Sequence, residues 1–131
     1  MEISLKPGMT CEKTEIVTEN NTAIKYGSGS VNVYATPAMV GLMENASFSC
    51  VDLHLPAGYL TVGTFVDVKH LTATPVGMKV TAKVELVLVE GKRLEFKVEA
   101  YDEKEKIGEG THGRYIINQN KFMSKTEEKG K

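Results

Sequence analysis

The residues of this chain with the strongest case for acid–base chemistry are Glu44 and His70, since both fall among apolar neighbours. On a helix, at about 100° per residue, Glu44 shares its sector with Val40 and Phe48. A buried carboxylate needs a hydrogen-bonding or ionic partner, or else its pKa rises, and a raised pKa suits a general acid or base. Two interpretations stay open: a structural carboxylate held by backbone amides or a basic side chain, and a catalytic group.

His70 ends a predicted strand and lies on its apolar face, with the same parity as Val66 and Val68. An inward imidazole is either a hydrogen-bonded core residue or a group that moves protons near neutral pH. His54 and His112 carry no comparable signal, and we expect both at the surface. No cysteine and histidine in the sequence have the spacing of zinc ligands.

Thr36 stands directly before Pro37, which fits a helix N-cap followed by proline at the first helical position. The residues that follow, up to Val51, are apolar or small almost all round, which predicts a buried helix. Capping alone would explain the threonine. Thr36 and Glu44 are about 12 Å apart along such a helix, so a joint site must bridge them with substrate or water, or combine groups from two chains.

The remaining elements are strands, because apolar and charged residues alternate with period two. Strands are predicted over residues 12–18, 60–71, 79–90, 93–102 and about 107–117. Gly91 lies in the turn between the third and fourth of these and can take a positive φ. One buried helix and these strands fit an antiparallel sheet wrapped around a central helix, and they equally fit an ordinary α+β sandwich.

Length and charge exclude several classes of protein. The 131 residues carry a formal net charge of -1, which argues against nucleic-acid binding that depends on phosphate neutralisation. No apolar run approaches the roughly 20 residues of a membrane helix, and the first residues do not resemble a signal peptide. We expect one domain over residues 1–120 and a frayed, charged tail over residues 121–131. Cys11 and Cys50 are expected to be free thiols in a reducing cytoplasm.

Three segments carry a family resemblance: YATPAMVGLME at residues 34–44, TVGTFVDVKHLTATPVG at residues 61–77, and residues 108–116. Together they are similar to the fluoroacetyl-CoA thioesterase-like branch of the hot-dog superfamily, over roughly residues 9–117. The resemblance implies an α+β hot-dog fold, in which a curved antiparallel β-sheet wraps a long central helix. It also implies a homodimer whose active sites form between the subunits.

The resemblance further implies a catalytic threonine, glutamate and histidine, which fall on Thr36, Glu44 and His70. Gly63 and Arg114 match positions that contact the acyl portion of the substrate in that family. We expect no metal ion and no cofactor, since coenzyme A is part of the substrate. The chain departs from the fluoroacetate-specific enzyme at residues 27–30, where glycine and serine stand in place of a lid that bears phenylalanines.

These observations predict a cytoplasmic acyl-CoA thioesterase that hydrolyses a small or short-chain acyl-CoA to free acid and CoA. Glu44 would act as nucleophile or as general base on water, and His70 would shuttle protons. The alternative from another class is a non-catalytic acyl-CoA or acyl-ligand binding module, which would bind an acyl-CoA without hydrolysing it. A hot-dog hydratase fits less well, because the Asp and His motif of those enzymes is absent. We expect neither a nucleic acid nor a membrane as partner.

Overall fold

The computed structural model describes residues 3–131, in which an antiparallel sheet of five strands packs against a long helix. The strands are β1 (Thr10–Ile16), β2 (Tyr59–His70), β3 (Lys79–Glu90), β4 (Arg93–Tyr101) and β5 (Lys106–Asn118). The helices are the short α1 (Ala23–Tyr26), the long α2 (Thr36–Val51) and the C-terminal α3 (Gln119–Lys129), with 3₁₀ turns at Glu19–Asn21 and Asp52–His54.

The period-two alternation places the core on one face of the sheet. The inward residues of β3 and β4 are buried, while the charged residues between them are mostly exposed. These inward residues are Val80, Ala82, Val84 and Leu86 on β3, and Leu94, Phe96, Val98 and Ala100 on β4. The predicted bounds of β3 are confirmed, and those of the other strands differ by one or two residues at an end. Gly91 takes a φ of 63° in the turn between β3 and β4.

The strand order β1-β3-β4-β5-β2 leaves β1 and β2 at the two edges of the sheet. Helix α2 contacts β1, β2, β3 and β4, so the sheet wraps around the helix. This arrangement decides between the two architectures that the periodicity left open. It also places β2, which carries Gly63 and His70, at an edge with unpaired backbone groups.

The two cysteines are joined, and the expectation of free thiols is wrong. Cys11 on β1 and Cys50 in the last turn of α2 form a disulfide, with their Cα atoms 5.6 Å apart. The physical reason is tertiary. The helix packs directly on β1, and this contact brings together two residues that are distant in the sequence.

The C-terminal residues are helical, and the expectation of a frayed tail from Lys121 is wrong in this respect. The Asn118 side chain caps α3 by accepting a hydrogen bond from the Lys121 amide, which stabilises the first turn. The Gln119 amide donates to the Gly58 carbonyl and ties the start of the helix to the loop before β2. No residue of α3 is buried, so the charged composition reflects a solvated helix. The division of the chain at residue 120 stays a prediction.

Among residues 3–131, no helix is both long enough and apolar enough to cross a membrane.

Candidate active site

Thr36 and His70 meet at one end of the site. Thr36 is the first residue of α2, His70 is the last residue of β2, and Thr36 Oγ1 lies 2.7 Å from His70 Nδ1. Thr36 is not the N-cap, so that prediction is wrong. Ala35 occupies the cap position without a side-chain bond, and its carbonyl accepts from the Met39 amide. The threonine hydroxyl is therefore available to hold the imidazole ring.

His70 has one nitrogen bonded and one nitrogen unbonded. Its Nε2 atom is buried and has no hydrogen-bond partner among residues 3–131. Burial lowers the pKa of His70 below its ordinary value, which favours the neutral ring. A cavity of about 320 Å³ lies beside the pair and is also lined by Ser28 and Gly29. The ring thus has one buried nitrogen without a partner, in a residue that lines this cavity.

Glu44 lies at the other end of the site, beside Gly63. A Cβ atom placed on Gly63 would lie 3.1 Å from Glu44 Oε2, 3.4 Å from His112 Cε1 and 3.5 Å from Arg114 Nη1. Gly63 is exposed, and we call the surface at its Cβ position, which Glu44, His112 and Arg114 approach closely, the Gly63 niche. Within the described part of the chain, the Glu44 carboxylate has no hydrogen bond and no ion pair.

Glu44 is only half-buried, so the expected burial of its whole helix face is not found within one chain. The buried residues of α2 face the sheet, whereas Pro37, Gly41 and Phe48 on the outer face are exposed. Phe48 is 38% exposed, and Phe65 and Val66 of β2 are exposed as well. Apolar residues are thus exposed both on the outer face of α2 and on the edge strand.

The two ends of the site do not touch within one chain. Gly63 and His70 are seven residues apart on the same strand, a span of up to roughly 23 Å at about 3.3 Å per residue. The Glu44 carboxylate is next to the first, and the Thr36 hydroxyl is next to the second. The structure therefore brings Thr36 to His70 and Gly63 to Glu44, but leaves Glu44 away from His70.

Arg114 is held beneath the niche by two side chains, Thr61 and His112, for which the sequence carries no functional signal. Its Nε donates to Thr61 Oγ1 at 2.8 Å, its Nη2 donates to the Thr61 carbonyl at 2.9 Å, and its Nη1 lies 3.2 Å from His112 Nε2. Thr61 in turn donates to Asp52 Oδ1 at 2.6 Å. The guanidinium carbon of Arg114 lies 5.6 Å from the centre of the Phe48 ring, a cation–π contact.

His112 is buried, and the expectation that it lies at the surface is wrong. It is 1% exposed and stacks on Phe96. It shares its strand face with Arg114 and with Ile116, and this parity was the one signal that could have placed it inside. The exposure of His54 is confirmed.

Burial also sets the protonation of this cluster. Burial is the largest influence on the pKa of His112 and lowers it, and the positive charge of Arg114 lowers it further. The hydrogen bond to the Phe65 carbonyl and the charge of Glu44 act in the opposite direction. Burial likewise lowers the pKa of Arg114, which stays cationic because its ordinary pKa is so high. A neutral imidazole beside a guanidinium is the arrangement in which His112 can accept a hydrogen bond.

In the part of the chain that the structure describes, no three histidine, cysteine, aspartate or glutamate side chains are grouped as metal ligands.

Comparisons with known proteins match both the sequence and the fold. A family model for fluoroacetyl-CoA-specific thioesterases matches residues 17–120. A fluoroacetyl-CoA thioesterase from Streptantibioticus cattleyicolor is 44% identical over 97 residues, which cover 74% of this chain and 70% of that protein.

Solved structures agree with this match. A structure of the fluoroacetyl-CoA thioesterase FlK is 36% identical, covers 96% of this chain and 98% of its own, and superposes with a TM-score of 0.91. A thioesterase-superfamily protein from Thermus thermophilus is 28% identical, with coverages of 94% and 91% and a TM-score of 0.87. The predicted resemblance, hot-dog fold and class of enzyme are confirmed: the chain belongs to the fluoroacetyl-CoA-specific thioesterase family, whose members are acyl-CoA thioester hydrolases of the hot-dog fold.

Proposed function

We propose that this protein hydrolyses a small or short-chain acyl-CoA to the free acid and CoA, with Thr36, Glu44 and His70 as catalytic residues. The observation that carries the proposal is that two titratable side chains, one at each end of the site, have no partner among residues 3–131. The Glu44 carboxylate is unbonded beside the Gly63 niche, and His70 Nε2 is buried and unbonded beside a cavity. A buried ring nitrogen with a purely structural role would be hydrogen-bonded within the fold, and His70 Nε2 is not.

Glu44 activates water or attacks the thioester directly. As general base, Glu44 takes a proton from water while the water oxygen bonds to the carbonyl carbon of the thioester. The π electrons of the carbonyl group move to the carbonyl oxygen. As nucleophile its own oxygen forms that bond, and water then cleaves the resulting anhydride. In both routes the carbon–sulfur bond breaks, and CoA leaves as a thiolate that is protonated to the thiol.

His70 moves the proton that the departing thiolate needs, and Thr36 positions the ring through Nδ1. This bond leaves Nε2 as the nitrogen that faces the reaction. Gly63 and Arg114 contact the acyl portion at the niche. The uncommitted N–H groups of Arg114 would stabilise negative charge that develops on the acyl group.

A complete site needs a second copy of the chain, and we propose a homodimer. Strand β2 is an edge strand, and Phe65 and Val66 are exposed on it. If two β2 strands pair antiparallel about an axis between Val66 and Asp67, each Gly63 lies opposite the partner subunit's His70. That pairing would bring Glu44 of one chain to Thr36 and His70 of the other, and it would cover the unpaired edge.

We propose that the acyl group of the substrate is small or short and that the enzyme is not restricted to the fluoroacetyl group. The cavity beside Thr36 and His70 is lined by Ser28, Gly29 and Val31, where no phenylalanine restricts it. One of the similar structures, a mutant of FlK that is 35% identical to this chain, was solved in complex with acetyl-CoA. We therefore expect turnover of unsubstituted short acyl groups as well.

The proposed reaction needs no metal ion or cofactor, and dialysis against a chelator should leave turnover unchanged. We propose a cytoplasmic location, where CoA thioesters are made and used. The Cys11–Cys50 disulfide weighs against this location, because reducing compartments rarely keep such bonds. Alkylation of thiols at the moment of cell lysis, followed by mass measurement, tests it: blocked cysteines support the cytoplasm, and an intact disulfide opposes it.

The experiment that tests the function is CoA release from a panel of acyl-CoAs, from acetyl to medium chain, followed with a thiol-reactive dye. Turnover with an optimum at short chains is the expected result. Binding of an acyl-CoA without release of any thiol would favour the alternative, a non-catalytic binding module. Glu12→Gln, which changes an exposed carboxylate on β1, is the matched control for substitutions at Glu44.

A further inference from the structure

The guanidinium of Arg114 has more hydrogen-bonding contacts than a side chain needs in order to supply only a positive charge. Its side chain is 6% exposed, and all three guanidinium nitrogens lie within hydrogen-bonding distance of fixed partners. These partners come from two directions. Thr61 on β2 takes Nε and Nη2, and His112 on β5 takes Nη1.

The direction of each hydrogen bond follows from the chemistry of the partners. The Thr61 hydroxyl donates to Asp52, so its oxygen is free to accept from Arg114 Nε. The Phe65 carbonyl can only accept, so His112 Nδ1, 2.8 Å away, must carry the proton. His112 Nε2 then holds the lone pair and accepts from Arg114 Nη1. The backbone of β2 is irregular at this point, because a β-bulge between Gly63 and Phe65 interrupts the register with β5. Phe65, whose carbonyl binds His112, lies at this bulge.

This arrangement leaves a defined part of Arg114 free. A guanidinium has five N–H donors, and the contacts above use three of them. One of the two remaining donors is on Nη1, the nitrogen 3.5 Å from the Cβ position of Gly63. Glu44 Oε2 lies 3.1 Å from the same position, yet the two groups form no ion pair among the described residues. A substrate atom in the niche would therefore meet both charges.

We infer that Thr61 and His112 are positioning residues of the proposed thioesterase, and that they act by fixing the Arg114 guanidinium with one N–H directed at the Gly63 niche. Asp52, which ends α2, anchors the Thr61 hydroxyl and so links this arrangement to the helix that carries Glu44. The inference rests on the proposed function for its kinetic consequences. Its geometric content is independent of activity.

The kinetic test is a double-variant cycle between Thr61 and Arg114. Thr61→Val removes the hydroxyl at constant shape, and Thr61→Ser keeps it. We expect Thr61→Val to lower kcat/KM at least about tenfold, since it leaves the buried Nε–H donor of Arg114 unpaired. The loss should be shared between kcat and KM in the same proportion as in Arg114→Lys. Thr61→Ser should retain wild-type kinetics, and the double variant should be no worse than Arg114→Lys alone.

His112→Phe tests the second contact, because it keeps the ring against Phe96 and removes the acceptor. We expect a loss that also does not add to that of Arg114→Lys. Thr111→Val, an exposed neighbour on β5, is the matched control and should behave as wild type. Additive losses, or wild-type kinetics for both Thr61→Val and His112→Phe, would overturn the inference.

A measurement without activity separates this inference from the proposed function and does not need a folded Arg114→Lys. The ¹⁵N–¹H signal of Arg114 Nε should be observable in the wild type, because the donor is buried and bonded, and should be lost or strongly shifted in Thr61→Val. If the wild type releases no CoA but this difference is seen, the proposed function fails and the fixed guanidinium stands. If the signal is the same in both proteins, Thr61 does not position Arg114.

Discussion

At the scale of single residues, the site divides polar groups into those with fixed partners and those without. Thr61, His112 and Arg114 are bonded to one another and to the backbone, which fixes their orientation. Glu44 has no such bonds among residues 3–131, and its Oε2 lies 3.1 Å from the Cβ position of Gly63. Fixed groups suit binding and charge stabilisation, and an unbonded carboxylate suits proton transfer or attack.

Replacing Glu44 by Gln should lower turnover at least about 100-fold, because the amide can neither take a proton from water nor attack the thioester. Fold and melting temperature should be retained, since no hydrogen bond of Glu44 is lost. Steady-state CoA release and a thermal melt measure the two effects. Wild-type turnover in this variant would contradict the assignment.

Gly63→Ala should lower kcat/KM at least about tenfold while the protein still folds. The φ of Gly63 lies outside the left-handed region, so alanine causes no backbone strain. Its methyl group would lie 3.1 Å from Glu44 Oε2 and would occupy the space that the acyl group needs, and small displacements at such a position are costly for catalysis. A melt that matches the wild type, together with unimpaired turnover, would show that the niche is not used.

At the scale of elements, helix α2 carries two of the three proposed catalytic residues, Thr36 and Glu44. It brings Thr36 to β2 at its first residue and Glu44 to the Gly63 niche two turns later, and it is attached to β1 by the Cys11–Cys50 disulfide near its last turn. The helix is therefore fixed at both ends, by hydrogen bonds and packing at one and by a covalent bond at the other.

Reduction of this disulfide should lower the stability of the fold by about 4 kcal/mol, on the chain-entropy estimate for a loop of this length, in which the cysteines are separated by 39 positions. Urea unfolding with and without a reductant measures the difference. A Cys11→Ser/Cys50→Ser double variant should have the reduced stability in both conditions. Equal stability of the wild type with and without reductant would contradict the prediction.

At the scale of the whole molecule, the separation of Glu44 from His70 is the reason for the proposed homodimer. Gly63, beside Glu44, and His70 lie on the same edge strand, and in the proposed dimer a second copy of that strand would bring the two ends of the site together. The exposed apolar residues beside it, Phe48, Phe65 and Val66, are what such an interface would cover.

Mixing two inactive chains tests this arrangement. Glu44→Gln and His70→Ala should each be inactive alone. When they are unfolded together and refolded as a mixture, half of the dimers are mixed, and each mixed dimer has one intact site. We expect about a quarter of the wild-type activity, as the two-fold symmetry requires. If no activity returns although mixed dimers form, Glu44 and His70 act within one chain.

The half-buried His70 and the buried His112 should make the whole fold sensitive to acid. Burial lowers the pKa values of His70 and His112 in the folded state, whereas an unfolded histidine has a pKa of about 6.5. Above about pH 6.5 both states are neutral. As the pH falls from there, the unfolded state binds protons first, so the free energy of unfolding decreases until the lowered folded-state pKa is passed.

Urea unfolding between about pH 7 and 5 measures this decrease. His112→Phe should show a shallower slope than the wild type, and replacement of the exposed His54 by Gln should leave the slope unchanged. A free energy of unfolding that is constant over this range in the wild type would contradict the prediction.

The sequence by itself determined the strands, the extent of the central helix and two of the candidate catalytic residues, Glu44 and His70. The reason is that the alternation of apolar and charged residues, the glycine in a turn and the helical spacing of apolar residues are local properties of the chain. The family resemblance added Thr36, Gly63 and Arg114. Only the tertiary structure decided that the Thr36 hydroxyl bonds His70 instead of capping its helix, that His112 and Thr61 lie beneath Arg114, and that Cys11 meets Cys50. All but one of these contacts join different elements of the fold, the exception being the contact between His112 and Arg114 within β5. Most of the residues they join lie tens of positions apart, and their distances depend on how the sheet wraps the helix, which no local pattern records.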